Sequence, residues 1–211
     1  MPTLSTIAVF AVAAFALIAV PGPSVMYIVT RGITQGRTAA FVSCLGVQTG
    51  ATVHVAAAAL GLSALVLSSS TAFNIVKFAG AAYLIVLGLR TLLSGKTASF
   101  DDAAPAMRSR RLFGQGFLIS ALNPKVALFF LAFFPQFLDP ARGSVAVQTL
   151  VLGAIFIGIA LCSDTVWALL SGTLGLWLRQ RTGFLRGQRY VAGGVYVALG
   201  VGAAAATPGG K

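Results

Sequence analysis

Charged residues are too scarce in this chain to cover a surface that faces water. Of its 211 residues, 9% are Asp, Glu, Lys or Arg and 57% are hydrophobic, whereas a soluble domain carries about 25% charged residues. The hydrophobic residues form continuous runs rather than the alternating pattern of a membrane-spanning β-barrel. These features predict an all-α membrane protein. They exclude a large soluble domain, a disordered chain and a small secreted module held by disulfides.

Six apolar runs divide the chain, and each approaches or exceeds the length of about 20 residues that a helix needs to cross a bilayer. We predict spans at residues 4–29, 39–66, 72–93, 112–137, 145–172 and 190–206. Residues 1–30 carry no charge and so lack the basic start of a signal peptide, which predicts that the first span is retained. The predicted organisation is a three-helix unit over 1–93, a cytoplasmic loop over 94–111, a second three-helix unit over 112–206 and a tail over 207–211.

Loops between six spans alternate between the two sides of the membrane, and the basic residues fall mainly on one side. Arg142 and Lys211 lie on one side, and eleven basic residues lie on the other: Arg31, Arg37, Arg90, Lys96, Arg108, Arg110, Arg111, Arg179, Arg181, Arg186 and Arg189. Because Lys and Arg are enriched in cytoplasmic loops, this predicts that both termini lie outside, in the periplasm. The net charge of +11 then reflects topology and attraction to anionic lipid, and we expect no nucleic-acid partner.

The two halves of the chain share two features. The element Ala-Gly-x-x-Tyr occurs at Ala79–Tyr83 and again at Ala192–Tyr196, 113 residues later. The first helix of each half also contains a proline break, at Pro21-Gly22-Pro23 and at Asn123-Pro124-Lys125. With three helices per half, the second copy enters the membrane in the opposite sense. We therefore predict two inverted three-helix repeats with proline-broken first helices, an arrangement typical of secondary transporters with a site near the middle of the membrane.

The proline breaks are the first candidates for a binding site. Proline in a helix removes an amide donor and frees a carbonyl, and such groups are tolerated inside a membrane only against protein or a water-filled cavity. Two helix ends at Pro21, Gly22 and Pro23 would offer amides to an anion and carbonyls to a cation, which suits a zwitterionic amino acid. A packing kink without a ligand is the alternative.

Two charged residues lie deep inside predicted spans. A charge there costs at least about 2.5–3.5 kcal/mol, so it should face the protein interior and have a partner. Lys125 could bind a substrate carboxylate, and Asp164 could hold a substrate ammonium group or carry a coupling proton; alternatively, the two form a structural ion pair. Lys77 is a secondary candidate because it lies near the end of its span, where its side chain can reach the interface.

The second predicted span, residues 39–66, carries further polar candidates. Gln48 and Thr52 are four residues apart and share one face. His54 is the only histidine; it could titrate near neutral pH or serve as a hydrogen-bonded structural residue. Cys44 and Cys162 have no CxxC spacing, and no multi-histidine site can be built, so we expect no metal and no cofactor. Enzyme motifs are also lacking, and we expect no enzymatic activity.

Several of these segments together resemble the LysE/RhtB family of amino-acid exporters. They are Pro21-Gly22-Pro23, Gly46-Val47-Gln48-Thr49-Gly50 with His54, Lys77–Leu84 with Leu87-Gly88, Leu122-Asn123-Pro124-Lys125, and Phe134-Pro135-Gln136-Phe137. The likeness extends from about residue 4 to residue 205. It implies a multi-pass exporter of amino acids in the bacterial inner membrane, driven by the proton gradient. Gln48 and His54 are more similar to the homoserine/threonine branch than to the basic-amino-acid branch, which favours small neutral amino acids or their derivatives.

The predicted substrate-binding residues can be stated as one set: Pro21, Gly22, Pro23, Gln48, His54, Tyr83, Asn123, Pro124 and Lys125. Asp164 is predicted to carry the coupling proton or to bind the ammonium group. A passive channel is an alternative function, and a thiol electron carrier would require Cys44 and Cys162 to meet. The sequence leaves open whether the protein forms a homo-oligomer.

Overall fold

The computed structural model describes residues 1–68, 70–93, 106–180 and 182–205, and this part of the chain is built from helices. The α-helices are α1 (Leu4–Ala19), α2 (Pro23–Gln35), α3 (Arg37–Ser68), α4 (Ser70–Leu93), α5 (Ser109–Ala121), α6 (Pro124–Leu128), α7 (Val145–Gln180) and α8 (Thr182–Ala205). A π-helical turn, Phe129–Phe133, and a 3₁₀ turn, Phe134–Phe137, follow α6. The tail at 207–211, most of the loop at 94–111 and the side chain of Lys77 lie outside the described residues.

The helical fold is confirmed for the described residues, as are three to four of the six predicted apolar spans. Arg37–Gly61, Ser109–Leu131 and Val145–Ser171 are each long and apolar enough to cross a membrane. The bent pair of α1 and α2 makes a fourth span if it is counted as one. Phe78–Leu93 and Tyr190–Ala205 are apolar but shorter. The arrangement of six spans as two inverted repeats stays a prediction.

Both proline breaks separate two helices. Helix α1 ends at Ala19, and α2 begins at Pro23 and departs at 53°. Helix α5 ends at Ala121, and α6 begins at Pro124. Proline suits the first position of a helix because its missing amide would have no partner there. The chain therefore restarts a helix at each proline instead of bending one continuous helix.

Glycines allow α3 and α5 to pack with their backbones close together. A Cβ atom on Gly46 would lie 2.2 Å from the carbonyl oxygen of Phe113, and one on Gly50 would lie 2.3 Å from that of Phe117. Gly116 on α5 faces the Ser43 carbonyl of α3 in the same way, at 2.6 Å. Small residues at such crossings let membrane helices gain van der Waals contact. This packing holds α3 beside the break that follows α5.

Two sets of contacts identify the ends of the helix bundle. The amino group of Met1 donates to the Arg142 carbonyl, so the N-terminus meets the turn before α7. Gln35, at the end of α2, exchanges two hydrogen bonds with the backbone of Met107, at 2.9 and 3.0 Å. These contacts agree with the alternation of loops inferred from the sequence. The compartment that each end faces stays a prediction.

A cluster of phenylalanine rings packs in the core around the chain segment that follows the second break. Phe129 and Phe130 of the π-helical turn pack against Phe156 of α7, with ring centroids 5.2 and 5.1 Å apart. Phe10 of α1 meets Phe134 edge-on at 5.3 Å. Offset and edge-on pairs of this kind add to the free energy gained from burying the rings. The cluster joins α1, α7 and the segment after α6 into one wall.

Candidate functional site

The two proline breaks lie against each other. The Nζ atom of Lys125 donates a 2.6 Å hydrogen bond to the carbonyl oxygen of Val20, the residue that caps the C-terminal end of α1. The side-chain Nδ2 atom of Asn123 donates a hydrogen bond to the Ser24 hydroxyl at 3.2 Å. Two hydrogen bonds therefore connect the first break with the second, although about 100 residues separate them in the chain.

Lys125 is a buried cation with two identifiable stabilising contacts. Its side chain is 8% exposed. The Val20 carbonyl belongs to the C-terminal end of α1, where the helix dipole favours a positive charge. The ring of Tyr196 on α8 lies 5.8 Å from Nζ, a distance that allows a cation–π contact. The backbone of Lys125 is fixed as well, because its amide donates to the side chain of Asn123 at 3.0 Å.

Asp164 is a buried acid on α7 and is 4% exposed. The Nε2 atom of Gln48 on α3 donates to its Oδ2 atom at 2.7 Å. Among the described residues, the salt bridge found within 4.0 Å joins Asp139 and Arg142 on the surface, and Asp164 and Lys125 are not in direct contact. The cation and the acid therefore have separate protein partners.

Lys125 and Asp164 line the same cavity, which has a volume of about 50 Å³. Its polar side chains are those of Ser24, Gln48, Ser120, Asn123, Lys125 and Asp164. Gly22 brings backbone to the same place, since a Cβ atom there would lie 3.5 Å from the Lys125 side chain. Ligand pockets commonly measure about 300–1,000 Å³. An amino acid could therefore occupy this site only if the cavity widened.

The sequence-predicted residues divide into two groups. Gly22, Gln48, Asn123, Lys125 and Asp164 line the cavity, and Pro21, Pro23 and Pro124 adjoin them in the chain. Tyr83 and His54 do not line the cavity. Tyr83 is 45% exposed on α4, and His54 contacts the backbone carbonyl of Ser120.

His54 contacts the second break without lining the cavity. Its Nε2 atom lies 3.0 Å from the carbonyl oxygen of Ser120, one of the last carbonyls of α5. Because a carbonyl can only accept, this nitrogen carries the hydrogen. The imidazole also stacks on Phe130 of the π-helical turn, with 6.5 Å between ring centroids. His54 thus connects α3 with both sides of the break.

Sequence reasoning missed three polar side chains in or beside the site: Ser24, Ser120 and Tyr196. Serine is too common in membrane helices to stand out, although Ser24 directly follows the first break and Ser120 precedes the second. Tyr196 belongs to the repeated Ala-Gly-x-x-Tyr element, which was a usable signal. Only the packing of α8 against α4 and the second break brings its ring to Lys125.

The cysteines lie in different surroundings. Cys44 is buried and Cys162 is exposed, and both thiols are free. Cys162 lines an apolar groove of about 740 Å³ on the surface of the helix bundle, between α1 and α7. Within the described ranges, no three His, Cys, Asp or Glu side chains are grouped as a metal site would require.

The sequence is similar to known transport proteins. The profile of the LysE type translocator family matches residues 15–207. A homoserine/homoserine lactone efflux protein from Salmonella typhimurium is 33% identical over 159 residues, which cover 75% of this chain and 77% of the relative. A leucine efflux protein from Enterobacter sp. is 32% identical over 144 residues, or 68% of each chain. An uncharacterized membrane protein from Pseudomonas aeruginosa is 29% identical over 196 residues, covering 90% and 91%. No solved structure gives a significant match.

Proposed function

Because the chain belongs to the LysE type translocator family, we propose that it exports small neutral amino acids or their derivatives across the bacterial inner membrane in exchange for protons. Family membership makes it a membrane transport protein. The relatives named for homoserine, homoserine lactone and leucine efflux support amino acids as the transported class. The choice of neutral substrates and the proton coupling rest on the site itself.

One observation carries this proposal: a buried cation and a buried acid line one cavity without contacting each other. An α-amino acid carries one negative and one positive group at a short, fixed separation. Lys125 can exchange the Val20 carbonyl for the substrate carboxylate, which gives a stronger charge-assisted hydrogen bond. Asp164 then faces the ammonium group or receives the coupling proton.

The same count of charges favours a neutral side chain. Lys125 and Asp164 are the buried charges at this cavity among the described residues, and the amino acid's own carboxylate and ammonium groups would occupy both. A further charge on the substrate would be buried without a partner, which is strongly unfavourable. Val25, Val126 and Phe156 provide apolar lining for an uncharged side chain.

The packing of the helices supports the inverted repeat as part of the proposal. Each element of the first half contacts its counterpart in the second: the first break meets the second break, α3 packs against α7, and α4 packs against α8. A Cβ atom on either Gly88 of α4 or Gly193 of α8 would lie 2.8 Å from the other residue's carbonyl oxygen. We therefore propose six spans, with the site where the two repeats face each other.

Transport by the purified protein in liposomes tests the function. Vesicles are preloaded with radiolabelled leucine, homoserine or threonine, and efflux is followed with and without an imposed pH gradient. We expect at least one of these amino acids to leave faster than from protein-free vesicles and to be moved against its own gradient when protons flow the other way. Downhill flux alone would indicate a passive channel. If none of them leaves faster than from protein-free vesicles, the proposal is wrong.

Replacing Cys44 and Cys162 together should leave efflux unchanged, which would exclude a thiol electron carrier.

A further inference from the structure

Gln48 has one buried polar atom that the fold does not satisfy. Its side chain is 6% exposed, and its Nε2 atom is used by Asp164 at 2.7 Å. The Oε1 atom is buried and has no hydrogen-bond partner in the described part of the chain. A buried acceptor without a donor is destabilising, because it has lost its hydrogen bonds to water. Since Gln48 lines the cavity, a ligand in the cavity can supply the missing donor.

The two ends of the Gln48 amide respond in opposite ways to the charge of Asp164. An ionised carboxylate can only accept hydrogen bonds, so it holds the NH₂ end and leaves Oε1 for the cavity. A protonated carboxyl group gains a donor, whose natural partner is Oε1. Rotation of the amide by half a turn would then present the NH₂ group to the cavity. An ammonium group, which has only donors, would lose its acceptor there.

We propose that Gln48 makes the substrate's ammonium group and a proton on Asp164 mutually exclusive ligands of the site. This inference rests on the proposed function and specifies how its coupling works. With Asp164 ionised, the ammonium group donates to Oε1 of Gln48 and faces the carboxylate. When a proton arrives on Oδ2 of Asp164, the amide turns and the ammonium group leaves. Beside Asp164 one positive charge replaces another. The substrate carboxylate leaves Lys125 at the same time, so the total charge of the site rises by one when a proton replaces the zwitterion.

Among the described residues, Asp164 is the acid in a position to take this proton. The other acidic residues of the chain are Asp101, Asp102 and Asp139; Asp139 lies on the surface in an ion pair with Arg142, and the other two belong to the polar loop.

The remaining titratable groups around Asp164 come from several helices. Lys125 faces it from the segment after the second break, Cys44 lies one turn from Gln48 on α3, and Tyr196 of α8 covers Lys125. On α2, Tyr27 donates to the Leu112 carbonyl and Arg31 to Gln115. Helix α1 has no titratable residue. None of these groups is a second carboxylate that could compete for the proton.

Substrate analogues and pH together provide the test. Initial rates of leucine transport are measured in liposomes over a series of pH values on the loading side. The competitor is 2-hydroxyisocaproate, which keeps the leucine carboxylate and side chain but has a hydroxyl in place of the ammonium group. The variant Gln48→Met removes the amide at nearly constant length. The control Thr52→Val changes a residue on the same helix whose hydroxyl bonds to the Thr49 carbonyl at 2.7 Å.

For the wild type and Thr52→Val, we expect the KM for leucine to rise about tenfold for each unit of falling pH once Asp164 is mostly protonated. The hydroxy acid should compete at least tenfold more weakly than leucine itself. In Gln48→Met, KM should be at least tenfold higher at the upper end of the pH range and should rise less steeply than in the wild type as the pH falls.

An unchanged pH dependence of KM in Gln48→Met would overturn the inference, and so would equal competition by leucine and its hydroxy acid in the wild type. The second measurement needs no variant, so it decides even if Gln48→Met fails to fold. Leucine transport without discrimination of the ammonium group would remove only the role of Gln48. If the wild type transports none of leucine, homoserine and threonine, the proposed function itself fails, and the role of Gln48 fails with it.

Discussion

At the scale of single residues, the proposed mechanism depends most on Lys125. Replacing it with methionine keeps the length of the side chain and removes the charge that would meet the substrate carboxylate. Burying that carboxylate without a counter-charge should cost about 2.5–3.5 kcal/mol, so we expect kcat/KM for leucine efflux to fall about 100-fold. The matched control is Arg142→Met, which removes an exposed cation from a surface ion pair and should change transport less than twofold.

Melting temperatures of both variants in detergent separate binding from folding. An apolar side chain of similar volume is often tolerated in place of a buried ion, so Lys125→Met should remain folded while it loses transport. Transport by Lys125→Met within threefold of the wild type would remove Lys125 from the binding site.

Asp164 gives the corresponding prediction for the acid. Asparagine at this position is neutral at every pH, so it can neither take up the coupling proton nor balance an ammonium group. We expect Asp164→Asn to reduce leucine efflux driven by a pH gradient at least 100-fold. Asp139→Asn is the control, because Asp139 is a half-exposed acid at the surface. Undiminished transport in Asp164→Asn would exclude Asp164 from the coupling.

The residues of the site differ in how well the sequence reveals them. Lys125 and Asp164 could be identified because a charge inside an apolar run is costly and therefore demands a reason. The partner of Lys125 could not be identified, since it is the carbonyl of Val20, and every residue has a carbonyl. Gln48 could be identified as a candidate from its position on the second predicted span, residues 39–66, which corresponds to α3. Its unsatisfied Oε1 atom becomes visible only when α3 and α7 are packed together.

At the scale of helices, the close approach of α3 and α5 positions the second break beside the cavity. We predict that Gly46→Ala destabilises the protein, because the new methyl group would lie 2.2 Å from the Phe113 carbonyl oxygen and would force the helices apart. Overpacking of this kind costs about 1–3 kcal/mol.

Gly61→Ala is the control on the same helix, since a Cβ atom there meets nothing within 4 Å. Alanine favours a helix over glycine by about 0.5–1 kcal/mol, so this variant should be at least as stable as the wild type. Thermal unfolding in detergent measures both. Equal melting temperatures for the two variants would show that the α3–α5 contact is looser than described.

The helix breaks were predictable from sequence, and the segment that follows the second break was not. Proline dictates its effect locally, so α2 and α6 begin at Pro23 and Pro124 as their sequences suggest. The π-helical turn at Phe129–Phe133 has no comparable local cause. Its rings pack against Phe10 and Phe156, which come from distant parts of the chain. That geometry depends on tertiary packing, which the pattern of a single helix does not encode.

At the scale of the whole molecule, the inverted repeat and the orientation in the membrane both depend on which side of the membrane each loop faces. The two halves can face each other in opposite senses only if each contains an odd number of spans. The contact between Met1 and Arg142 places the N-terminus and the turn before α7 at one end of the bundle. The eleven basic residues of the predicted cytoplasmic side belong to the other loops. The distribution of basic residues therefore predicts that residues 93 and 205 lie on opposite sides of the membrane.

Reporter fusions test this arrangement in intact cells. Alkaline phosphatase, which is active only outside the cytoplasm, and green fluorescent protein, which fluoresces inside it, are fused after residue 93, after residue 143 and after residue 205. We expect fluorescence from the fusion at 93 and phosphatase activity from the fusions at 143 and 205. Three spans must then lie between 93 and 205, and one of them must lie between 93 and 143. If the fusions at 93 and 205 report the same side, the second half has an even number of spans. A second half with an even number of spans cannot be an inverted copy of a three-span first half, so the proposed inverted repeat would be wrong.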